Sequence, residues 1–434
     1  MSGDYSNRRV LVYDSGLNIG LANALTKFFG VVLYFTPWSR AFPSMTEIVP
    51  GYGYDGVVRV TDFWNHINKV DLFVFPDCYN GDLQVYLDSV GKRVWGSRMG
   101  ANLELHRWQT KELMKSVGLP VQPCQQVKGL DALRELLKKK ENCFIKLSKF
   151  RGDMESWHHI NYELSQPRLD EIAYRLGPLQ HMATFIVEDE IETEFEVGYD
   201  GIFTGSWPNV AMAGWEKKDA GLLASVMPYD DLPEEVREVN SRLEEFLKKT
   251  NYRNFLSTEI RIGEDSLPYL IDVTNRTPIP SSAIQIANMK NLGDVMWHGA
   301  AGENVPIKNH SQFGAEAMIY SDWAHKHWMN VSVPEDVQPY VTLFHSVNIS
   351  KDVESVVPQN HDVAVIGDEI GSVIGLGDTI EEAIQECHDH ADEIKGMGLY
   401  VKVESLGSLL PQIKEAQEKG IKFSDDPVPE SVET

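Results

Sequence analysis

The chain opens with two short runs that are apolar but for Arg9, separated by a helical pattern, and this limits the possible folds more than any other feature. Residues 9–13 read RVLVY, residues 31–35 read VVLYF, and the helical pattern covers 18–29. A strand with one wet face alternates apolar and polar residues. One without alternation must be covered on both faces, as in a parallel sheet flanked by helices. Two further runs, 71–75 and 93–95, extend the set. The opening therefore predicts a small doubly wound α/β domain over residues 1–105. Such domains often bind dinucleotides, but that requires GxGxxG after the first strand. Here only Gly16 and Gly20 follow it, in GLNIG, without that spacing.

The chain has 434 residues, more than one compact domain needs. Its formal net charge of -24 argues against nucleic acid or an anionic membrane as main partner, because both demand excess Lys and Arg. Anionic small molecules stay open, since a site needs only a few local cations. Cys78, Cys124, Cys143 and Cys387 are scattered without a CxxC pair. They fit reduced thiols in a cytoplasmic protein better than a disulfide framework or a zinc site. Neither a signal-peptide core nor a membrane-length apolar run is evident.

Further on, a helix is predicted over 101–117, stopped by Gly118-Leu119-Pro120. A strand over 143–147 leads into a polar loop, 148–156. A strand over 185–187 runs into the acidic stretch 188–194. Residues 195–203, FEVGYDGIF, read as strand, turn, strand. An amphipathic helix follows over 232–250, then a hairpin of 255–262 with 269–273. The last third alternates strands with a helix over 379–395 and reads as a separate α/β lobe. The acidic tail 425–434 reads as disordered.

Three features stand in a definite order. Lys111 lies on a helix before the Gly-Leu-Pro stop, Lys146 ends a strand before the polar loop, and Glu259 and Asp272 sit on the two strands of the late hairpin. Two lysines on separate elements suit different phosphates of one ATP. Two acids on neighbouring strands suit Mg²⁺, which takes a few carboxylate oxygens and completes its shell with phosphate and water. Asp272, Thr274 and Arg276 alternate and so share a face, which places Arg276 where it can stabilise a transferring phosphoryl group. Taken singly, each residue reads more readily as a solvated charge, and only the order and context of the set favour the site. His158-His159 and Cys387-His388-Asp389-His390 are metal-binding types, but positions 388 and 390 of a helix do not face each other.

In that order the chain resembles the ATP-grasp superfamily, and phosphoribosylamine–glycine ligase in particular. The resemblance runs through Gly96-Ser-x-x-Gly-Ala101-Asn-Leu-Glu104, Arg107-Trp-Gln-Thr-Lys111 and Gly118-Leu-Pro120. It continues through Phe144-Ile-Lys146, Ile186-Val-Glu188-Asp-Glu-Ile191 and Asp272-Val-Thr-Asn-Arg276, and Gly371 to Ala383 is similar to the C-terminal lobe of such ligases. The resemblance implies an ATP-grasp fold: an N-terminal domain (1–105), a small lobe (106–183), a large lobe (184–308) and a C-terminal lobe (309–424). It implies ATP on Lys111, Lys146, Lys149, Arg151, Glu188, Ile191 and Glu194, the last at the ribose. It implies Mg²⁺, with Mn²⁺ as a substitute, on Glu259, Asp272, Asn275 and Thr274. Arg276, Lys146 and Asn275 become the catalytic candidates.

The implied reaction joins a small-molecule carboxylate to an amine, or to a thiol, through an acyl phosphate, in a monomer or homodimer. Two rival readings are a small-molecule kinase of the same fold and a nucleotide-binding regulatory protein with weak turnover. The pattern departs from the resemblance after the first strand (DSGLNIG) and after Phe75 (Pro-Asp-Cys-Tyr-Asn-Gly81), which predicts a different substrate pocket. Asp14, Asp77, Trp207, Asn209, Trp215 and Lys217 are the substrate candidates. Trp207 and Trp215 could equally be core residues.

Overall fold

The computed structural model describes residues 3–37, 50–148, 156–217, 221–324, 327–351, 353–356, 369–424 and 428–429. The apolar runs at the start form the expected parallel sheet: β1 (Tyr5–Tyr13), β2 (Phe29–Phe35), β3 (Val57–Arg59), β4 (Leu72–Val74) and β5 (Arg93–Trp95), in the order β3-β2-β1-β4-β5. Val10, Leu11, Val12 and Leu72, Phe73, Val74 are buried, as strands covered on both faces require. The first helix is shorter than its pattern, Ile19–Leu25, because the chain turns into β2 at Phe29. β3 was not predicted.

A second, antiparallel sheet has the order β6-β9-β7-β8, with β6 (Cys124–Lys128), β7 (Cys143–Leu147), β8 (Ser156–His159) and β9 (Thr184–Asp189). Helices Leu130–Leu137 and Tyr162–Leu176 cover it through a core that includes Leu133, Ile145, Leu169 and Val187.

The third sheet is large. It contains β10 (Thr193–Phe203), β11 (Val210–Lys217), β12 (Gly221–Pro228), β13 (Asn254–Gly263), β14 (Pro268–Thr274) and β15 (Phe313–Ser321) in the order β14-β13-β10-β11-β12-β15. Strand Glu369–Gly377 continues it beyond β15. The last third of the chain thus shares a sheet with the preceding segment. The helix Ile380–Glu393 packs on it, opened by a reciprocal cap between Thr379 and Glu382.

Two readings of local structure change. Residues 195–203 are not strand, turn, strand. They belong to the unbroken β10, which pairs with β13 from Thr193↔Gly263 to Phe203↔Asn254. The Asp-Gly signal at 200–201 is overridden because partners on both sides fix the extended backbone. The helix over 101–117 is two pieces, Asn102–Leu105 and Arg107–Ser116, separated at His106 (φ -122°, ψ 59°). No helix among the described residues is long and apolar enough to cross a membrane.

Candidate active site

A cavity of about 1150 Å³ lies between the small sheet and the large one. Its floor is one face of the large sheet. Asp272, Thr274 and Arg276 line the cavity, whereas Asn275 between them does not. Asn275 is buried and holds the backbone instead: its side-chain amide donates to Gly100 O at 2.6 Å, and its own N–H donates to Glu104 Oε2 at 3.3 Å. Its proposed catalytic and metal-binding roles do not fit that placement.

At the cavity wall two lysines converge on one acid. Lys111 Nζ lies 3.1 Å from Glu188 Oε1, and Lys146 Nζ lies 3.7 Å from Glu188 Oε2. Gln122 joins them, accepting from Lys111 at 3.3 Å and donating to Glu188 Oε2 at 2.7 Å. Lys146 also donates to Ile271 O. Burial would raise the Glu188 carboxyl, but Lys146 and Lys111 outweigh it and hold it below its usual value. For Lys111 the balance is reversed: burial lowers its pKa despite Glu188. Lys146, Glu188 and Ile191 line the cavity, whereas Lys111 stands behind Glu188. Lys149 and Arg151 lie outside the described residues, as do the side chains of Glu194 and Lys217.

Glu259 and Asp272 are directly opposite each other across β13 and β14. Like charges so placed repel. Arg107 settles the matter for Asp272 only, with Nη1 2.8 Å from Oδ1. Burial would raise Asp272, but Arg107 and Lys146 hold it at about 2. Burial and the facing Asp272 push Glu259 up to about 7. Glu259 forms no ion pair among the described residues. This donor set of hard oxygens, with one charge left uncompensated, fits a divalent cation. No group of three or more His, Cys, Asp or Glu among the described residues forms a complete metal cage, so further ligands would come from a bound substrate and water.

Arg276 is held by Glu104 (Nε to Oε1, 2.9 Å). Burial opposes its charge, but Glu104 raises its pKa above the usual value, so it is a fixed cation at the cavity. Arg107, Gln122 and Glu104 were missed as site residues. Each acts through a partner far away in sequence, which spacing cannot show.

Four substrate candidates do not line the cavity, although Asp77 stands close enough to Arg276 to help raise its pKa. Asp14 is buried and accepts from Asn18 N, Asn18 Nδ2 and Tyr34 Oη, fixing the turn into the first helix. Asp77 accepts from Ser15 Oγ at 2.9 Å and from Cys78 N at 2.7 Å. Trp207 stacks on Tyr229 with centroids 5.5 Å apart and donates to Glu244 at 3.0 Å, which makes it a core residue. Asn209 ties its loop to Ile307. Trp215 borders both the cavity and the core.

No family model matches the chain, and no curated protein matches it in sequence. Solved structures do match in shape. Phosphoribosylamine–glycine ligase from Thermotoga maritima superposes with a TM-score of 0.64 at 15% identity, covering 91% of this chain and 98% of its own. N5-carboxyaminoimidazole ribonucleotide synthetase from the same organism gives 0.58 at 11%, covering 90% and 99%. The biotin carboxylase domain dimer of 2-oxoglutarate carboxylase from Hydrogenobacter thermophilus, in complex with MgADP, ADP and bicarbonate, gives 0.63 at 13%, covering 96% of each chain.

Proposed function

We propose that this chain, which has the ATP-grasp fold, is an ATP-dependent ligase that joins a small-molecule carboxylate to an amine through an acyl phosphate. The supporting observation is that one cavity gathers Lys146, Glu188, Glu259, Asp272 and Arg276 from two sheets. Lys146 and Lys111 neutralise phosphate, and Ile191 borders the nucleotide base. Mg²⁺, or Mn²⁺ in its place, would be held by Glu259 and Asp272 and would supply charge neutralisation at the phosphates. Thr274 neighbours that pair.

Arg276 meets the charge that develops as a carboxylate oxygen attacks the γ-phosphorus and the bond to ADP breaks. The amine nitrogen then bonds to the acyl carbon, phosphate leaves, and the amine proton passes to solvent. Positioning and charge do the work, so no side-chain nucleophile is required. The division at about residues 105, 183 and 308, the cytoplasmic setting and a monomer or homodimer belong to the same reading. The test is ADP release from Mg-ATP across panels of carboxylates and amines, with ¹⁸O-labelled carboxylate. Label in the released phosphate supports the acyl phosphate, whereas a phosphorylated product would instead identify a kinase.

One observation favours a second reading, a nucleotide-binding regulatory protein. Arg107 already occupies Asp272. That reading expects ATP binding with no substrate-stimulated ADP release.

A further inference from the structure

The large-sheet floor holds more acid than ATP chemistry requires. Glu216 is opposite Leu222, and Leu222 is opposite Glu316, so the three form a row across β11, β12 and β15 on one face. Asp200 is opposite Met212 and reaches the same face. Gly214 lets it lean toward that row: a Cβ there would lie 2.7 Å from Asp200 Oδ2 and 3.0 Å from Leu222 Cδ1. Asp200, Glu216 and Leu222 line the cavity. Glu316 lies just behind Leu222, and its field reaches both Asp200 and Glu216.

None of Asp200, Glu216 and Glu316 forms an ion pair among the described residues. Asp200 accepts from Ser281 Oγ at 2.6 Å. Glu316 is 1% exposed and accepts hydrogen bonds from Ser372 and the Ile284 backbone, while its Oε2 has no partner among the described residues. Burial pushes Asp200 up to about 6 and Glu316 up to about 7, whereas the Glu216 side chain is exposed. The three do not close on a point as metal ligands must. An ammonium group, which reaches several oxygens at hydrogen-bond distance, suits them better. Leu222, Ile279 and Pro280 provide apolar wall beside them.

We infer that this end of the cavity takes the acceptor substrate, and that the acceptor is an aliphatic amine bearing a second ammonium group, such as a diamine or a basic amino acid. Asp200 and Glu216 hold the second ammonium, Glu316 adds its negative field from behind Leu222, and the methylene chain lies against Leu222 and Ile279. The first nitrogen, deprotonated, reaches the acyl phosphate. The inference rests on the ligase reading for the acceptor role, though not for the binding itself.

The test is calorimetric titration of the full chain, with and without Mg²⁺ and a non-hydrolysable ATP analogue, using 1,4-diaminobutane, 1,5-diaminopentane and n-butylamine. A diamine should bind at one site at least about tenfold more tightly than n-butylamine, the weight of one charge-assisted hydrogen bond. Glu216→Gln should remove that preference and leave analogue binding unchanged. Asp200→Asn should do the same if it folds, and the Glu216 variant decides the matter if it does not. Equal affinity for n-butylamine, no binding, or a preference that survives Glu216→Gln overturns the inference. Loss of analogue binding with diamine binding intact would sink the ligase reading and leave the ammonium site standing.

Discussion

Arg107 Nη1 lies 2.8 Å from Asp272 Oδ1, so of two carboxylates facing each other across a strand pair only one has an ion-pair partner among the described residues. The pair is asymmetric before any ligand arrives, with Asp272 at about 2 and Glu259 at about 7. Replacing Arg107 with Met should cost about 3–5 kcal/mol, the usual penalty for orphaning a buried charge. It also frees Asp272. Without nucleotide, Mg²⁺ should therefore raise the thermal midpoint of Arg107→Met more than that of the wild type. Equal Mg²⁺ responses would show that Arg107 does not compete with a cation for this acid.

Glu188 is the mirror case, one acid between Lys111 and Lys146. Glu188→Gln keeps the shape and leaves two buried ammonium groups facing each other. It should lower stability by about 3–5 kcal/mol in denaturant titration. The exposed pair Glu238–Arg242, 3.6 Å apart, is the control. Glu238→Gln should change stability by less than about 0.5 kcal/mol, because solvent screens such pairs. Similar losses in the two variants would contradict the placement of Glu188.

The apolar opening made the first sheet legible because its strands pair with near neighbours in sequence. The order of Lys111, Lys146, Glu259 and Asp272 could also be read, since each stands on a recognisable element. The acid row could not. Glu216 and Glu316 are a hundred residues apart, and only the register through Leu222 brings them together. Asn275 failed for the opposite reason: just past the end of β14, it stands between two cavity residues but is turned to Gly100 and Glu104. Trp207 had the composition of a binding wall, yet its neighbours Tyr229 and Glu244 come from distant segments.

The buried acids also set a pH dependence. Asp200, Glu259 and Glu316 have folded values of about 6, 7 and 7, above their usual 3.8, 4.5 and 4.5, chiefly through burial. Their contribution to stability is complete below the usual values and is lost as pH rises through the folded ones. Glu259 also faces Asp272 and Glu196, which raise it, while Lys146 and Arg107 oppose them. Asp272 and Glu188 are lowered, so their contribution is present above their usual values and lost as pH falls through their folded values, which for Asp272 is about 2. The ligand-free protein should therefore melt several degrees higher at about pH 5 than at about pH 8. Mg²⁺ should narrow the gap by offsetting charge at pH 8. A midpoint that climbs between those pH values would contradict the burial of these carboxyls.

Gly214 links the fold to the acid row. It sits on β11 on the cavity side, and a Cβ there would fall 2.7 Å from Asp200 Oδ2. Real Cβ atoms do not approach so closely, so either the Asp200 carboxylate swings away from Ser281 or β11 shifts. The carboxylate is buried, and its hydrogen bond to Ser281 at 2.6 Å resists the first course. Gly214→Ala should thus destabilise by about 1–3 kcal/mol, as overpacking does. Asp200→Ala removes the obstructing oxygen. In the double variant the Gly214 penalty should shrink by at least about 0.5 kcal/mol, the coupling typical of residues in contact. Strict additivity in a double-mutant cycle would mean that Gly214 is required for some other reason and that Asp200 does not lean across it.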